Sequence, residues 1–184
     1  MEIVPVNNEV YYTDGLLVTV NNEDITSLKI KSHVNPRKRV RFCAHQDTES
    51  IVHEMIIIHE RGIYVRPHKH IGKSESFHII EGIADVVIFD NNGAITDVIE
   101  MGDFTSGRVF YYRLSKALYH SLLIRSEMLV FHEVTSGPFK RVDTQFAPWA
   151  PDDIGDERQK YLLKLDILTK SFLATKVGEL GGNK

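Results

Sequence analysis

From residue 40 to residue 134 the chain repeats one pattern: short runs of alternating or continuous apolar residues, each broken by a turn-forming cluster. The pattern predicts strands near 40–44, 51–59, 62–68, 75–81, 83–90, 94–101, 110–113, 119–124 and 127–134. Asp90-Asn91-Asn92-Gly93 is a hairpin turn, because Asn and Gly tolerate positive φ. No segment of helical period interrupts the series, which argues for a β-sandwich or barrel.

The flanks differ. Ile3-Val4, Val10-Tyr12 and Leu16-Val20 read as short strands. Asn21-Asn22-Glu23-Asp24 then offers helix-start chemistry, and Ile25, Leu28 and Ile30 follow at roughly helical spacing, so a short helix is expected at about 23–33, before Pro36. Beyond Gly137-Pro138 comes an aromatic, proline-rich arm, Phe146-Ala147-Pro148-Trp149-Ala150-Pro151. Asp152, Asp153 and Asp156 precede an amphipathic run from Glu157 to Lys176, with Tyr161, Leu162, Leu165, Leu168, Phe172 and Leu173 on one face. That stripe fits a helix on the barrel's outer face and equally a helix that builds a dimer. Gly178 to Lys184 reads as a frayed tail. The expected organisation is N-terminal strands and a short helix (1–34), a barrel (35–137), and an arm and helix packed on the barrel or on a dimer partner (138–184).

A chain of 184 residues is long enough for one substantial core. A net charge of −3 implies no general attraction to nucleic acid. The one cysteine, Cys43, cannot form an internal disulfide and reads as a small buried hydrophobe, with a catalytic thiol as the alternative. No signal peptide opens the sequence and no run reaches the length of a membrane span. A cytoplasmic protein without nucleic-acid or membrane partners is expected.

The chemistry concentrates in Gly62 to Gly82. His68 and His70 are two apart, so on a strand they share a face. Glu75 follows at the start of the next strand. Two imidazoles and a carboxylate suit a divalent transition metal such as Zn, Fe, Mn or Ni better than Ca or Mg. The spacing G-x5-H-x-H-x4-E-x6-G resembles the first motif of the cupin superfamily at every fixed position. A fourth ligand is expected from further along, and His120 is the candidate, at the start of Tyr119-His120-Ser121-Leu122-Leu123-Ile124. The second cupin motif is degenerate there: Ser115, Ala117 and Ile124 stand where proline, glycine and asparagine are expected.

Other candidates follow from strand phase. Tyr64 and Arg66 share the face of His68 and His70 if 62–68 is one strand. Tyr64 is a candidate proton carrier, alongside packing as its alternative. Arg66 is a candidate for holding a substrate carboxylate or phosphate, or a rim arginine paired with a local acid. His132 is a candidate acid–base group. Phe77 and His53 are candidate substrate-binding residues. His59 is expected to be solvated, His78 to face out, and His45 to cover the barrel mouth.

The stretches Asn35 to His45, Tyr64 to His70, Gly137-Pro138-Phe139 and Phe146 to Pro151 together resemble the WbuC family of cupin-fold metalloproteins, over roughly residues 33–165. The resemblance implies a jelly-roll barrel, a bound metal and a setting in bacterial surface-polysaccharide synthesis of the O-antigen type. The family's proline or glycine and tryptophan before the last histidine are replaced here by Ser115-Lys116-Ala117-Leu118-Tyr119. The expected fold is therefore mainly β, a cupin-type jelly-roll barrel with a short N-terminal helix and a C-terminal amphipathic helix. The expected function is metal-assisted isomerase, epimerase or lyase chemistry on a sugar or nucleotide-sugar, by a homodimer. Two alternatives stand beside it: a non-catalytic saccharide-binding or regulatory cupin, and an Fe(II) dioxygenase.

Overall fold

The computed structural model describes residues 3–181. The strands are β1 (Val4–Pro5), β2 (Val10–Tyr12), β3 (Arg39–Cys43), β4 (Val52–Glu60), β5 (His68–His70), β6 (Glu75–Glu81), β7 (Ile83–Phe89), β8 (Ile95–Gly102), β9 (Tyr111–Leu114), β10 (Tyr119–Ile124), β11 (Met128–Ser136) and β12 (Thr144–Phe146). They form a seven-stranded sheet, β1-β2-β3-β4-β11-β6-β9, facing a five-stranded sheet, β12-β5-β10-β7-β8. Two helices flank them, α1 (Asn22–Val34) and α2 (Glu157–Gly181). This is the cupin type of jelly roll.

Alternation builds the core. Inward residues of both sheets, among them Ile57, Phe77, Ile79, Val86, Leu122 and Phe131, form one buried cluster. A second cluster lies outside the smaller sheet, where Val87, Phe89, Val98 and Leu123 meet Leu165, Tyr161 and Phe172 of α2. Most of the apolar stripe of α2 is thus covered by its own barrel, while Leu168 stays exposed. Arg125 ties the two together, with its guanidinium 2.6 Å from Asp85 of β7 and ion-paired with Asp166 of α2. A third cluster, Leu28, Val40, Phe42, Ile58 and Val130, seats α1 on the outer face of the larger sheet. Asn21 caps that helix: its side chain accepts from the amides of Glu23 and Asp24, and the Asp24 carboxylate accepts from the Asn21 amide.

Several expectations are corrected. Leu16 to Val20 form no strand, and Leu16 and Leu17 are almost fully exposed. The strand expected over 62–68 is displaced: residues 63–67 are irregular and regular pairing begins at His68. Pro67 has no amide to give to a ladder, which limits strand pairing at this point. β12 was not anticipated. It arises because the Phe146–Pro151 arm is pinned elsewhere: the Trp149 indole lies against Gly93 of the β7–β8 hairpin and donates to the Asn91 carbonyl at 3.2 Å. The arm then runs beside β5, with Thr144 opposite His70 and Phe146 opposite His68. The helix expected to end near Lys176 continues to Gly181, and residues 182–184 of the expected tail lie outside the described residues.

Gly82, the closing glycine of the motif, has a steric reason to be there. Its φ is +93°, and a Cβ would come within 2.4 Å of the Met128 carbonyl oxygen. Only glycine lets β6 turn into β7 against that backbone.

Candidate metal centre

Strand pairing assembles the centre. β5 and β10 are antiparallel neighbours, and His120 pairs directly with His68. His70 lies two residues along on the same face. The imidazoles of His68, His70 and His120 each offer a nitrogen, and these lie within 4.8 Å of one another. Glu75 enters from the facing sheet. Its Oε2 is 3.2 Å from His70 Nε2 and its Oε1 is 2.9 Å from His120 Nε2.

The outward nitrogens are all engaged. His68 Nδ1 lies 2.8 Å from the Arg66 carbonyl and His120 Nδ1 lies 3.0 Å from the Leu118 carbonyl. A carbonyl only accepts, so both Nδ1 atoms carry the proton and both Nε2 lone pairs point inward. His70 Nδ1 is 3.2 Å from Thr144 Oγ1, which lets the hydroxyl take the same part. β12 therefore contributes to the centre indirectly, by setting a ring.

Whether these residues fit a metal can be judged from His120. The residue is 2 % exposed, and its Nε2 finds no well-directed hydrogen bond although the Glu75 carboxylate is at ion-pair distance. A buried nitrogen left in this state is costly unless something else engages it. Three convergent imidazole nitrogens fit Zn, Fe, Mn or Ni, without selecting among them; Glu75 touches two of the rings but is not part of the three-histidine cluster.

The electrostatics of the metal-free site favour the ligating state at His68 and Glu75 and oppose it at His120. Burial alone would raise the Glu75 carboxyl, but the charges of His120 and His70 outweigh it and hold the group well below the usual carboxylate range. Burial would lower His120, and Glu75 reverses that and raises it. Burial, with His120 and His70 nearby, lowers His68 to about 3. Ligation requires neutral imidazoles and a carboxylate, and His68 and Glu75 are already in those states at neutral pH.

The centre forms one wall of a 590 Å³ cavity between the sheets. Arg66, Phe77 and His53 line it, together with His68, His70 and His120. Phe77 is a core ring as well, packed on Tyr112 and Phe131 at centroid distances of 5.1 Å. Arg66 lines the cavity, lies over the Phe146 ring, and is ion-paired with Asp152. His45 lines the cavity near its mouth, and His78 faces outward.

Two candidates do not reach the cavity. Tyr64 is buried beneath α2, where its hydroxyl donates to the Pro151 carbonyl at 3.0 Å and its ring meets Tyr161. Because 63–67 is not a strand, the alternation that would have aligned Tyr64 with His68 does not carry through. His132 lies on the outer face of the larger sheet, beside Glu54 at 3.9 Å. Its neighbours Phe131 and Glu133 are the inward residues of β11. His59, expected in solvent, is buried and lines the cavity edge-on to Phe131.

The residue that sequence reasoning missed is Glu133. The sequence offers only a partial signal: a carboxylate beside His132 in a strand whose first half is apolar on both faces. The side chain is half-buried, lines the cavity, and has no ion pair or hydrogen bond among the described residues. Burial first, then the nearby Glu75 charge, pushes it up to about 7.

Opposite pH effects follow for the metal-free protein. His59 is lowered to about 3 by burial, so the unfolded chain takes up its proton first as pH falls. The stability it confers is complete above about pH 6.5 and is lost on the way down to about 3. Glu133 is raised, so its contribution is complete below about pH 4.5 and is lost as pH rises through about 7. Glu133→Gln is therefore expected to flatten the stability loss of metal-free protein between about pH 4.5 and pH 7 in urea titrations, and His59→Gln to remove an opposing rise between about pH 3 and pH 6.5 while leaving the slope above about pH 6.5 unchanged. An unaltered slope in Glu133→Gln would contradict the assignment.

Comparison with known proteins gives the fold. A family model described as a domain of unknown function (DUF6016) matches residues 20–101, which include His68, His70 and Glu75 and stop short of His120. No curated protein sequence matches. Among solved structures, the salicylate 1,2-dioxygenase from Pseudoaminobacter salicylatoxidans superposes at TM-score 0.50 with 14% identity, over 70% of this chain and 37% of that one. The capsular polysaccharide assembling protein CapF from Staphylococcus aureus gives TM-score 0.47 and 19% identity, over 61% and 32%. Protein SO0799 from Shewanella oneidensis gives 0.45 and 12%, over 56% and 66%. The chain thus spans less than two thirds of the length of each of these structures. None of these matches names the WbuC family. Among the described residues no helix is long and apolar enough to cross a membrane. The conclusion these observations reach together is a cupin-type jelly roll with a histidine cluster, His68, His70 and His120, arranged as a candidate metal site.

Proposed function

We propose that the protein is a metal-dependent cupin enzyme acting on an anionic sugar or nucleotide-sugar, by isomerase, epimerase or lyase chemistry. The observation that carries this is the convergence of three Nε2 atoms, each ring held at its other nitrogen, on a carboxylate at the wall of an open cavity. His68, His70, His120 and Glu75 would hold the metal. A bound metal supplies Lewis-acid polarisation of a carbonyl or hydroxyl.

The remaining work falls to this chain. Glu133, half-buried on the same cavity and without an ion pair among the described residues, takes the proton-carrying part that His132 and Tyr64 are too remote to play. Phe77 and Phe131 give the cavity an apolar floor that limits water, and Arg66 presents a cation at its edge. The polysaccharide setting rests on the sequence resemblance to the WbuC family, and a homodimer in the cytoplasm completes the proposal.

The test is turnover of a nucleotide-sugar panel by metal-loaded protein, followed by NMR of the sugar protons in deuterated water. A converted substrate, with conversion lost in Glu133→Gln and metal content unchanged, supports the reading. Conversion unaffected by Glu133→Gln would remove Glu133 from it, and binding without conversion across the panel would favour the non-catalytic saccharide-binding alternative.

A further inference from the structure

A sheet face packed between two sheets is ordinarily apolar, and one line across the larger sheet is not. Register places Glu75 opposite Thr135 and Thr135 opposite His53. At a strand spacing of about 4.8 Å, the His53 backbone lies about 10 Å from that of Glu75 across the sheet. His53 is 5 % exposed, lines the cavity, and its Nε2 has no hydrogen-bond partner. It stacks on His45, with centroids 4.1 Å apart and planes 17° apart.

Beside this pair stands an exposed cation with no ion pair among the described residues. Arg41 lines the cavity from β3, and its Nη1 is 3.9 Å from Met55 Sδ on the neighbouring strand, two residues along from His53. Arg41 forms no ion pair among the described residues, whereas Arg39 on the same strand pairs with Glu9 at 3.0 Å and Arg66, before β5, pairs with Asp152. Glu9 and Asp153, acids of the same rim, are taken by Arg37 and Arg39. The end of the cavity away from the histidine cluster therefore offers a free guanidinium and an imidazole with no acceptor. Glu133 faces the same region with no ion pair among the described residues; burial raises its carboxyl and the nearby Arg41 charge opposes that.

We propose that Arg41, His45 and His53 form a second subsite that holds a carboxylate or phosphate of the substrate, two to three strand spacings (about 10–14 Å) across the sheet from Glu75. The substrate is then an elongated anion that spans the cavity, with an oxygen at the histidine cluster and a charged group at Arg41. The span rests on the reading of that cluster as a metal centre; the subsite does not.

The two are tested apart. Inorganic phosphate, glucose 1-phosphate, glucuronate and succinate are titrated into chelator-treated protein by calorimetry, up to about 10 mM. At least one is expected to bind wild type, to weaken about tenfold or more in Arg41→Gln, and to recover in part in Arg41→Lys. Preference for the phosphates or for the carboxylates names the group. His68→Ala is expected to bind the same anion unchanged. Binding that is equal in wild type and Arg41→Gln, or no binding of any of the four, overturns the subsite. Binding lost in His68→Ala and kept in Arg41→Gln places the anion at the histidines and also overturns it. Arg41-dependent binding by a wild type that takes up no metal keeps the subsite and removes the metal reading alone.

Discussion

Chelator-treated wild-type protein is expected to gain thermal stability when titrated with its metal, and His120→Ala to gain none. A ligand that binds only the folded state stabilises by about 2.7 kcal/mol at a hundred times its Kd. For a chain of this size that raises Tm by about 5–10 °C. His120 is the most telling position because it alone comes from β10, outside the matched family segment, and its surrounding motif is degenerate. Its Nδ1 proton is held by the Leu118 carbonyl, so alanine deletes a nitrogen presented in one orientation only. The substitution also leaves a gap in a site that is 2 % exposed and frees Glu75 Oε1, which keeps the Tyr112 hydroxyl at 3.2 Å. The metal-free variant will therefore start from a lower Tm, and the quantity that matters is the shift on metal addition. An equal shift in His120→Ala and wild type would show that the metal binds elsewhere.

Arg125→Ala is expected to cost about 3–5 kcal/mol at neutral pH, toward the lower end because the guanidinium is partly exposed. The Asp85 side chain is only 4% exposed, and Arg125 meets it through two nitrogens at 2.6 and 2.7 Å while also pairing with Asp166. Burial already raises the Asp85 carboxyl, and Arg125 opposes that. Removing the arginine strands a buried carboxylate and cuts the polar tie between β7 and α2. A carboxyl whose folded pKa is raised confers its stability at low pH and loses it as pH rises through that value. The deficit of Arg125→Ala should accordingly be larger at pH 8 than at pH 5 in urea unfolding, and Asp85→Asn in the same background should recover part of it. A loss below about 1 kcal/mol, the same at both pH values, would show that the tie matters little.

Much of the centre was readable because strand period and metal spacing coincide. His68 and His70 share a face by alternation, and Glu75 follows after a turn at Gly72. Both helices were readable from capping chemistry and from the α2 stripe. The misreadings have physical causes. Alternation carries information only along an unbroken ladder, and Pro67 ends it, which is how Tyr64 was placed on the wrong side. β11 is apolar on both faces, because Val130 packs under α1 and Phe131 packs inward. Its phase is then undetermined by pattern, and His132 was put where Glu133 stands. β12 spans three residues and owes its existence to Trp149 held against a distant hairpin. Arg41 was visible as one of a basic run, but its lack of a partner depends on which acids Arg37 and Arg39 capture.

The central claim is that His68, His70, His120 and Glu75 hold one metal ion. Its most direct test is elemental analysis of untagged protein purified without added metal, beside His68→Ala prepared in parallel and both after anaerobic reconstitution with Fe, Mn, Ni and Zn. About one ion per wild-type chain and far less in the variant is the result expected. No metal in wild type after reconstitution, or equal metal in wild type and His68→Ala, would contradict it.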